Sequence, residues 1–206
     1  MFSEHVQSRA ERREGTRRKV LASAERLFRE QGFGATTVRQ IAADAEVSTG
    51  TVMAVGDKDA LLVAIFDGWI GAVHRERGGA LAQSDGALTP AAAVQELMAL
   101  VAPFITYFES DRELSREYAA IIVRGSHTSE VFVDLALALL TEFTSVLSRA
   151  GLSAADAGRG AQAVYFAYLG LLMTASHGVL DEQAAVAQLQ EIVRFVVRQD
   201  QEGKRE

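Results

Sequence analysis

Residues 36–58 hold two short helical patterns joined by a tight bend, and this arrangement constrains the fold more than any other feature of the chain. Thr36 and Thr37 are suitable N-caps, and the apolar residues that follow recur at helical spacing as far as Ala45. This first helix is only about two turns long. The bend at residues 46–47 leads into a second short helix, so the sequence predicts a compact helical pair.

The second helix of the pair begins with small or hydroxyl-bearing side chains. Ser48 or Thr49 can cap it, and Gly50 and Thr51 follow directly. Such residues let backbone N–H groups and short side chains approach phosphates and base edges closely. The pair is therefore interpreted as a helix-turn-helix that docks on DNA, and the alternative is ordinary packing within a helical bundle.

A longer helix precedes the pair. Its apolar stripe runs from Val20 to Phe28, and Gly32 is a suitable C-terminal cap. With this helix included, the sequence from residue 16 to about residue 66 resembles the DNA-binding domain of the TetR family of transcriptional regulators. The residues that carry the resemblance are Leu27, Phe28, Gly32, Phe33, Thr36, Thr37, Val38, Ile41, Ala42, Ala45, Val47, Ser48, Gly50 and Thr51, followed by Lys58, Leu61 and Leu62.

The resemblance implies a homodimeric transcriptional regulator, a repressor, that binds a roughly palindromic operator in double-stranded DNA. The residues expected at the DNA are Arg17, Thr36, Thr37, Arg39, Ser48, Thr49, Gly50, Thr51, Met53, Ala54 and Lys58. Among them, Thr37, Thr51 and Lys58 are predicted to hold phosphates, and Arg39, Thr49, Met53 and Ala54 to face the bases.

Two places depart from the pattern of the family. The bend holds Glu46 where the family often has glycine, and Met53, Ala54 and Val55 replace an aromatic and histidine pattern. The segment from these residues to Lys58 is also one residue shorter. These changes leave open a second interpretation, a helical ligand-binding or adaptor protein that has lost specific DNA binding.

The net charge of −6 by itself argues against a protein that binds nucleic acid. The charge is unevenly distributed, because residues 1–60 hold ten basic and nine acidic side chains, whereas residues 61–206 hold 11 and 18. The basic residues that gather ahead of the first helix are Arg9, Arg12, Arg13, Arg17, Arg18 and Lys19. Such an arm can follow the phosphate backbone or enter a minor groove, and the alternative is a solvated, frayed terminus. Arg17 is the strongest candidate, because it is nearest the folded helix.

The composition allows a buried core and excludes several kinds of chemistry. Of the 206 residues, 49% are hydrophobic and none is cysteine, which excludes disulfides, thiolate metal sites and thiol catalysis. The first 19 residues are polar rather than a signal sequence, and the apolar run 161–180 is interrupted by polar side chains. We therefore expect a cytoplasmic protein without a membrane segment.

No strand alternation competes with the helical periodicity, so the chain is predicted to be all helical, with about nine helices. Residues 1–58 form the predicted arm and helix-turn-helix domain, and residues 59–206 form the predicted domain for effector binding and dimerisation. The helices predicted beyond the pair run from Lys58 to about Arg77, from Thr89 through Phe108, from Asp111 to near Gly125, from about Ser129 to Ala150, from Ser153 onward and from Asp181 onward.

The run 161–180 and the last predicted helix both carry apolar faces that are broader than one core contact can use. Paired with the same helices of a second chain, they would form a four-helix bundle, and the resemblance implies a homodimer of this kind. The alternative is burial within one subunit.

The resemblance also implies a small-molecule effector pocket in the larger domain, mostly apolar with a few polar groups. The candidate effector-binding residues are Trp69, Met98, Phe104, Tyr107, Phe108, Tyr118, His127, Phe143, Tyr165, Tyr168, Met173 and His177. The alternative for each of them is packing in the core or exposure at the surface. The helix that begins at Lys58 and carries Trp69 is predicted to couple this pocket to the DNA-reading unit.

The sequence gives no pattern of a catalytic site, a metal site or a cofactor. The four histidines lie far apart, no Glu-x-x-His pair stands on an apolar face, and a glycine-rich phosphate loop is lacking. The protein is therefore expected not to be an enzyme.

Overall fold

The computed structural model describes residues 2–78, 86–125, 127, 130–175 and 182–202, and these residues form nine α-helices and no strand. The helices are α1 (Phe2–Gln31), α2 (Val38–Asp44), α3 (Thr49–Val55), α4 (Lys58–Gly78), α5 (Pro90–Ser110), α6 (Arg112–Arg124), α7 (Glu130–Arg149), α8 (Ala154–Ala175) and α9 (Glu182–Glu202). The predicted all-helical fold is confirmed.

Helix α1 is much longer than the sequence predicted. The basic residues ahead of Val20 were expected to form an arm, but they lie inside a continuous helix of 30 residues. The segment is rich in Arg, Glu and Gln, which favour helix, and Gly15 is its only glycine. Gly32 ends α1 as predicted, since its φ is +85° and its N–H donates to the carbonyl of Phe28 at 3.0 Å.

The internal contacts of the chain divide it into two compact units. The first contains residues 1–69 and 113–129, and the second contains residues 70–112 and 130–206. The first unit therefore holds the start of α4 and most of α6 in addition to the predicted residues 1–58. Helix α6 belongs to the first unit although the chain on both sides of it belongs to the second.

The core of the first unit forms where α1, α2, α3, α4 and α6 bring apolar side chains together. Phe28 and Ile41 are almost fully buried, and the rings of Phe28 and Phe33 lie 5.0 Å apart. Phe66 of α4 stacks on Tyr118 of α6, with 4.3 Å between ring centroids and 9° between ring planes. This contact joins α6 to α4 within the first unit.

The second unit consists of α5, α7, α8, α9 and the end of α4, and α7 and α8 pack along much of their length. Gly160 of α8 lies where a Cβ atom would stand 2.7 Å from Val196 of α9 and 3.0 Å from Leu147 of α7. The missing side chain therefore lets three helices approach closely. Arg149 at the end of α7 forms an ion pair with Glu96 of α5, and both side chains are mostly buried.

Helix α5 is the one helix, among the described residues, that is long and apolar enough to cross a membrane by length and composition alone. The sequence analysis considered only the run 161–180 as a membrane-like segment and overlooked α5, so that analysis is corrected here. Eight residues of α5, from Ala93 to Phe108, are buried within the protein. The core of the second unit accounts for the hydropathy of α5.

Candidate nucleic-acid interface

Helix α2 begins with a complete capping box. The hydroxyl of Thr37 accepts a hydrogen bond from the N–H of Gln40 at 3.3 Å, and the side-chain oxygen of Gln40 accepts one from the N–H of Thr37 at 2.8 Å. Thr37 is exposed, and so is Arg39 in the first turn of α2. The start of α2 is therefore fixed by local hydrogen bonds and faces solvent.

Thr36 has a different role from the one that the sequence suggested. It was expected near the DNA, but it is 1% exposed and its hydroxyl lies 2.8 Å from the carbonyl oxygen of Gly32, to which it donates. The same hydroxyl accepts a hydrogen bond from Gln31 at 3.1 Å. A hydroxyl engaged in this way joins the end of α1 to the start of α2 and does not reach a ligand at the surface.

The turn between α2 and α3 has the hydrogen bonds of a Schellman motif. The N–H of Val47 donates to the carbonyl of Ala42 at 2.9 Å, and the N–H of Glu46 donates to that of Ala43 at 3.3 Å. Glu46 takes a left-handed conformation with φ of 55°, the only positive φ of a residue other than glycine in the described parts of the chain. The turn therefore keeps its geometry although glutamate occupies a position that favours glycine.

Ser48 is the N-cap of α3, since its hydroxyl accepts a hydrogen bond from the N–H of Thr51 at 3.1 Å. Val52 is fully buried and anchors α3 to the core, and Val47 is half-buried beside it. The opposite face of α3 is exposed, and it consists of Thr49, Gly50, Met53 and Ala54. Met53 is the large apolar side chain of this face, and it is 53% exposed.

Lys58 begins α4 and contacts the turn that precedes α2. Its ammonium group donates to the carbonyl of Phe33 at 2.9 Å and lies 4.2 Å from the centroid of the Phe33 ring. Lys58 is half-buried, so its side chain both stabilises the first unit and brings a positive charge beside the helix-turn-helix.

Two basic side chains of α1 lie next to α3. Arg13 and Arg17 line a groove of about 500 Å³ together with Thr51, Ala54 and Val55 of α3. The sequence had singled out Arg17 but not Arg13. The four-residue spacing of the two arginines would have identified Arg13 had the arm been predicted as helix.

Cationic side chains at the end of α6 contact the start of α4. His127 lies 3.4 Å from Asp57, and Arg124 lies 3.8 Å from Asp59. Asp57 also accepts a hydrogen bond from the N–H of Ala60 at 2.8 Å. His127, a candidate effector residue, therefore lies in the first unit together with the helix-turn-helix.

Comparison with known proteins agrees with this geometry. Residues 20–65 match the family model described as bacterial regulatory proteins of the tetR family. The HTH-type transcriptional regulator HbdR of Aromatoleum sp. (strain CIB) is 46% identical over 50 residues, which are 24% of this chain. The DNA-binding segment of the chain is that of the TetR family. The match spans 22% of the length of HbdR, so this likeness concerns the DNA-binding segment.

Solved structures extend the likeness of fold to nearly the whole chain. FadR of Thermus thermophilus, solved with lauroyl-CoA, has a TM-score of 0.62 and 18% identity over 88% of this chain and 93% of its own. FadR of Bacillus subtilis, solved with stearoyl-CoA, has a TM-score of 0.58 and 15% identity over 87% and 96% of the two chains. These similarities confirm the fold of the family on both sides of the DNA-binding segment.

The TetR-family fold distributes the candidate effector residues over both units. Trp69, Tyr118 and His127 belong to the first unit, and Met98, Phe104, Tyr107, Phe108, Phe143, Tyr165, Tyr168 and Met173 belong to the second. His177 lies outside the described residues. Phe104, Phe108, Tyr118, Phe143, Tyr165 and Tyr168 are buried, whereas Trp69, Met98, Tyr107 and Met173 are half-buried. Burial raises the pKa of the Tyr165 phenol, because an apolar environment disfavours the charged phenolate.

Proposed function

We propose that the protein is a cytoplasmic transcriptional repressor that binds a palindromic operator as a homodimer and is switched by a small, largely apolar effector. The observation that carries the proposal is the exposed face of α3. Thr49, Met53 and Ala54 project from a short helix that Ser48 caps and Val52 anchors, within the segment that matches the TetR family. A helix held in this way and exposed on one side suits insertion into a major groove.

Each contact residue has a role that follows from its chemistry. Thr49 can donate to or accept from a base edge, and Met53 and Ala54 can offer apolar contact, as with a thymine methyl group. Arg39 is exposed on α2 and can reach a base or a phosphate. Thr37, Thr51 and Lys58 are proposed to lie at phosphates, where the charge of Lys58 contributes most.

The homodimer is proposed to form through α8 and α9. These helices pack against each other and expose Phe166 and Phe195, which are 67% and 62% accessible to solvent. Two phenylalanines on neighbouring helices favour a four-helix bundle with a second copy of the chain. The two α3 helices would then be about 34 to 36 Å apart, one turn of DNA.

The dimer can be tested with matched glutamate substitutions. Phe166→Glu and Phe195→Glu are expected to yield monomers in light scattering at micromolar concentration. Leu137→Glu, which changes an equally exposed apolar residue of α7, is the control and should remain dimeric. Dimers of both phenylalanine variants would contradict the proposed interface.

The effector is proposed to be largely apolar for two reasons. The candidate residues of the second unit are mostly aromatic, and two regulators with the same fold were solved with fatty acyl-CoA molecules. Trp69, on the α4 helix that runs from the DNA-reading unit into the second unit, gives a direct measurement. Titration of acyl-CoA of increasing chain length, with and without DNA, should change Trp69 fluorescence with different affinities in the two conditions. Equal affinities would contradict the coupling for that ligand.

The competing function is a ligand-binding or adaptor protein without specific DNA binding. The specific observation in its favour is the replacement of the aromatic and histidine pattern by Met53, Ala54 and Val55. Selection of duplexes from a randomised DNA pool with the full-length protein separates the two functions. A palindromic consensus supports the repressor, and recovery of no preferred sequence supports the alternative.

A further inference from the structure

We propose that Arg13 and Arg17 of α1 form one DNA-binding surface with α3, in which the two guanidinium groups hold backbone phosphates beside the major groove that α3 enters. This inference rests on the proposed function. It names residues that supply the positive charge, and it assigns the basic segment a helical binding mode rather than that of an extended arm.

The geometry places both arginines beside the DNA-reading helix. They lie one helical turn apart on the same face of α1, and both line the groove with Thr51, Ala54 and Val55 of α3. Ala54 is small and exposed, so the groove stays open where α3 faces solvent. A DNA backbone that follows this edge of α3 would pass within reach of two long, exposed side chains.

The charge of this part of α1 favours a polyanionic partner. Helix α3 contains no charged side chain, whereas residues 9–19 hold six basic and two acidic residues. A guanidinium group binds phosphate through two parallel hydrogen bonds, and each neutralised phosphate releases counterions. The arginines of α1 therefore supply the electrostatic attraction that α3 cannot supply.

Glu14 lines the same groove, and its replacement should change DNA affinity in the opposite direction to replacement of the arginines. Its carboxylate repels a phosphate that approaches Arg13 or Arg17, and it weakens the positive potential of the groove. Glu14→Gln is therefore expected to tighten DNA binding by about threefold to tenfold, the effect of one charge at a phosphate-binding surface.

Gly15 tests the helical binding mode. A Cβ atom at Gly15 would meet nothing within 4 Å, so alanine fits there without a clash. Because alanine favours helix over glycine, Gly15→Ala should tighten DNA binding by up to about fivefold if α1 binds as a helix. Gly15→Pro should weaken it, since proline interrupts the helix that carries Arg13. An extended arm would reverse or abolish this order.

The main experiment measures the salt dependence of binding for the full-length protein and the duplex most enriched from a randomised pool. The slope of log K against log salt should fall by about 0.9 for Arg13→Ala or Arg17→Ala, and by about 1.8 for the double variant. Arg18→Ala removes the same charge one residue further on, outside the lining of the groove, and should change the slope by less than about 0.3. Circular dichroism and thermal unfolding of each variant verify that the fold is unchanged.

The outcomes separate this inference from the proposed function. Wild-type binding with unchanged slopes in the Arg13 and Arg17 variants would overturn the inference alone. An equal loss from Arg18→Ala would also overturn it, because the net charge of α1 and not the groove would then be responsible. Failure of the wild-type protein to enrich any duplex would overturn the proposed function and this inference together.

Discussion

Replacement of Glu46 by glycine is expected to stabilise the first unit, although it removes a side chain from an exposed turn. Glu46 has a φ of 55°, where the Cβ atom of an L-residue crowds its own backbone at a cost of about 1 to 2 kcal/mol. Glycine avoids this crowding but loses about 0.5 to 1 kcal/mol more than alanine through the entropy of the unfolded chain. The difference leaves a gain of about 0.5 to 1 kcal/mol in the free energy of unfolding.

The same chain offers a reciprocal control. Gly151 ends α7 with the same pair of hydrogen bonds, from its own N–H to Ser148 and from the N–H of Leu152 to Leu147. Its φ is +97°, and a Cβ atom there would meet nothing within 4 Å. Gly151→Ala should therefore lose about 1 kcal/mol through backbone conformation alone.

Thermal unfolding of the full chain measures the global effect, and hydrogen exchange measures the local one. In Glu46→Gly the N–H of Val47, which donates to Ala42, should exchange severalfold more slowly, and the melting temperature should rise by about 1 to 4 °C. Glu46→Val should shift both in the other direction, since a β-branched residue is least tolerated at this φ. If glycine leaves both quantities unchanged or lowers them, the left-handed backbone is not a source of strain and the reasoning is wrong.

Three further predictions concern packing, pH and charge. Gly160→Ala should lower the free energy of unfolding by about 1 to 3 kcal/mol, because its Cβ would clash with neighbouring helices. Gly158→Ala is the control: its Cβ would meet nothing within 4 Å, so it should raise the free energy of unfolding by about 0.5 to 1 kcal/mol. If both substitutions lower the stability, packing at Gly160 is not the explanation. Hydrogen bonds from Arg26 and, to a smaller extent, from Ser23 hold the pKa of Asp44 below its usual 3.8. The contribution of Asp44 to stability should therefore be complete above about pH 4 and disappear as the pH falls through the lower pKa of the folded state. Asp44→Asn should flatten this acid dependence, and an unchanged pH profile of stability would contradict the prediction. Lys58→Met keeps the apolar stem but removes the ammonium group that contacts Phe33, so it should lower the free energy of unfolding by about 1 to 2 kcal/mol. It should also reduce the salt slope of DNA binding by about one unit. A change in stability alone would assign Lys58 a structural role only.

The helices and their ends were predictable from the sequence wherever local chemistry decides them. Caps such as Ser48 and Gly32 form hydrogen bonds with residues three or four positions away. Both partners therefore lie within one short stretch of sequence and can be recognised there. The predicted start of α1 was wrong, because the polar, charged segment before Val20 contains no apolar stripe. Helix propensity extends α1 through this segment without burying a face, and a search for periodicity cannot detect it.

The roles of individual side chains were less predictable, because they depend on contacts distant in sequence. Thr36 and Thr37 are adjacent and chemically identical, yet one is buried beneath α1 and the other caps α2 at the surface. Tyr118 has an aromatic ring and a hydroxyl group, as expected of a residue in an effector pocket, but its ring stacks on Phe66 in the core of the first unit. Burial of this kind follows from tertiary packing, which one sequence does not contain.

The two departures from the family act on different properties of the helix-turn-helix. Glu46 lies in the turn and affects its stability, while the hydrogen bonds of Val47 and Ala42 keep the geometry between α2 and α3. Met53 and Ala54 lie on the exposed face of α3, and the buried Val52 anchors this helix independently of which residues occupy positions 53 and 54. Glu46→Gly should therefore leave the selected DNA sequence unchanged, whereas Met53→Gln should alter it by adding a hydrogen-bonding side chain at the base edge. If Met53→Gln instead changed only stability, the exposed face of α3 would not be the surface that reads DNA.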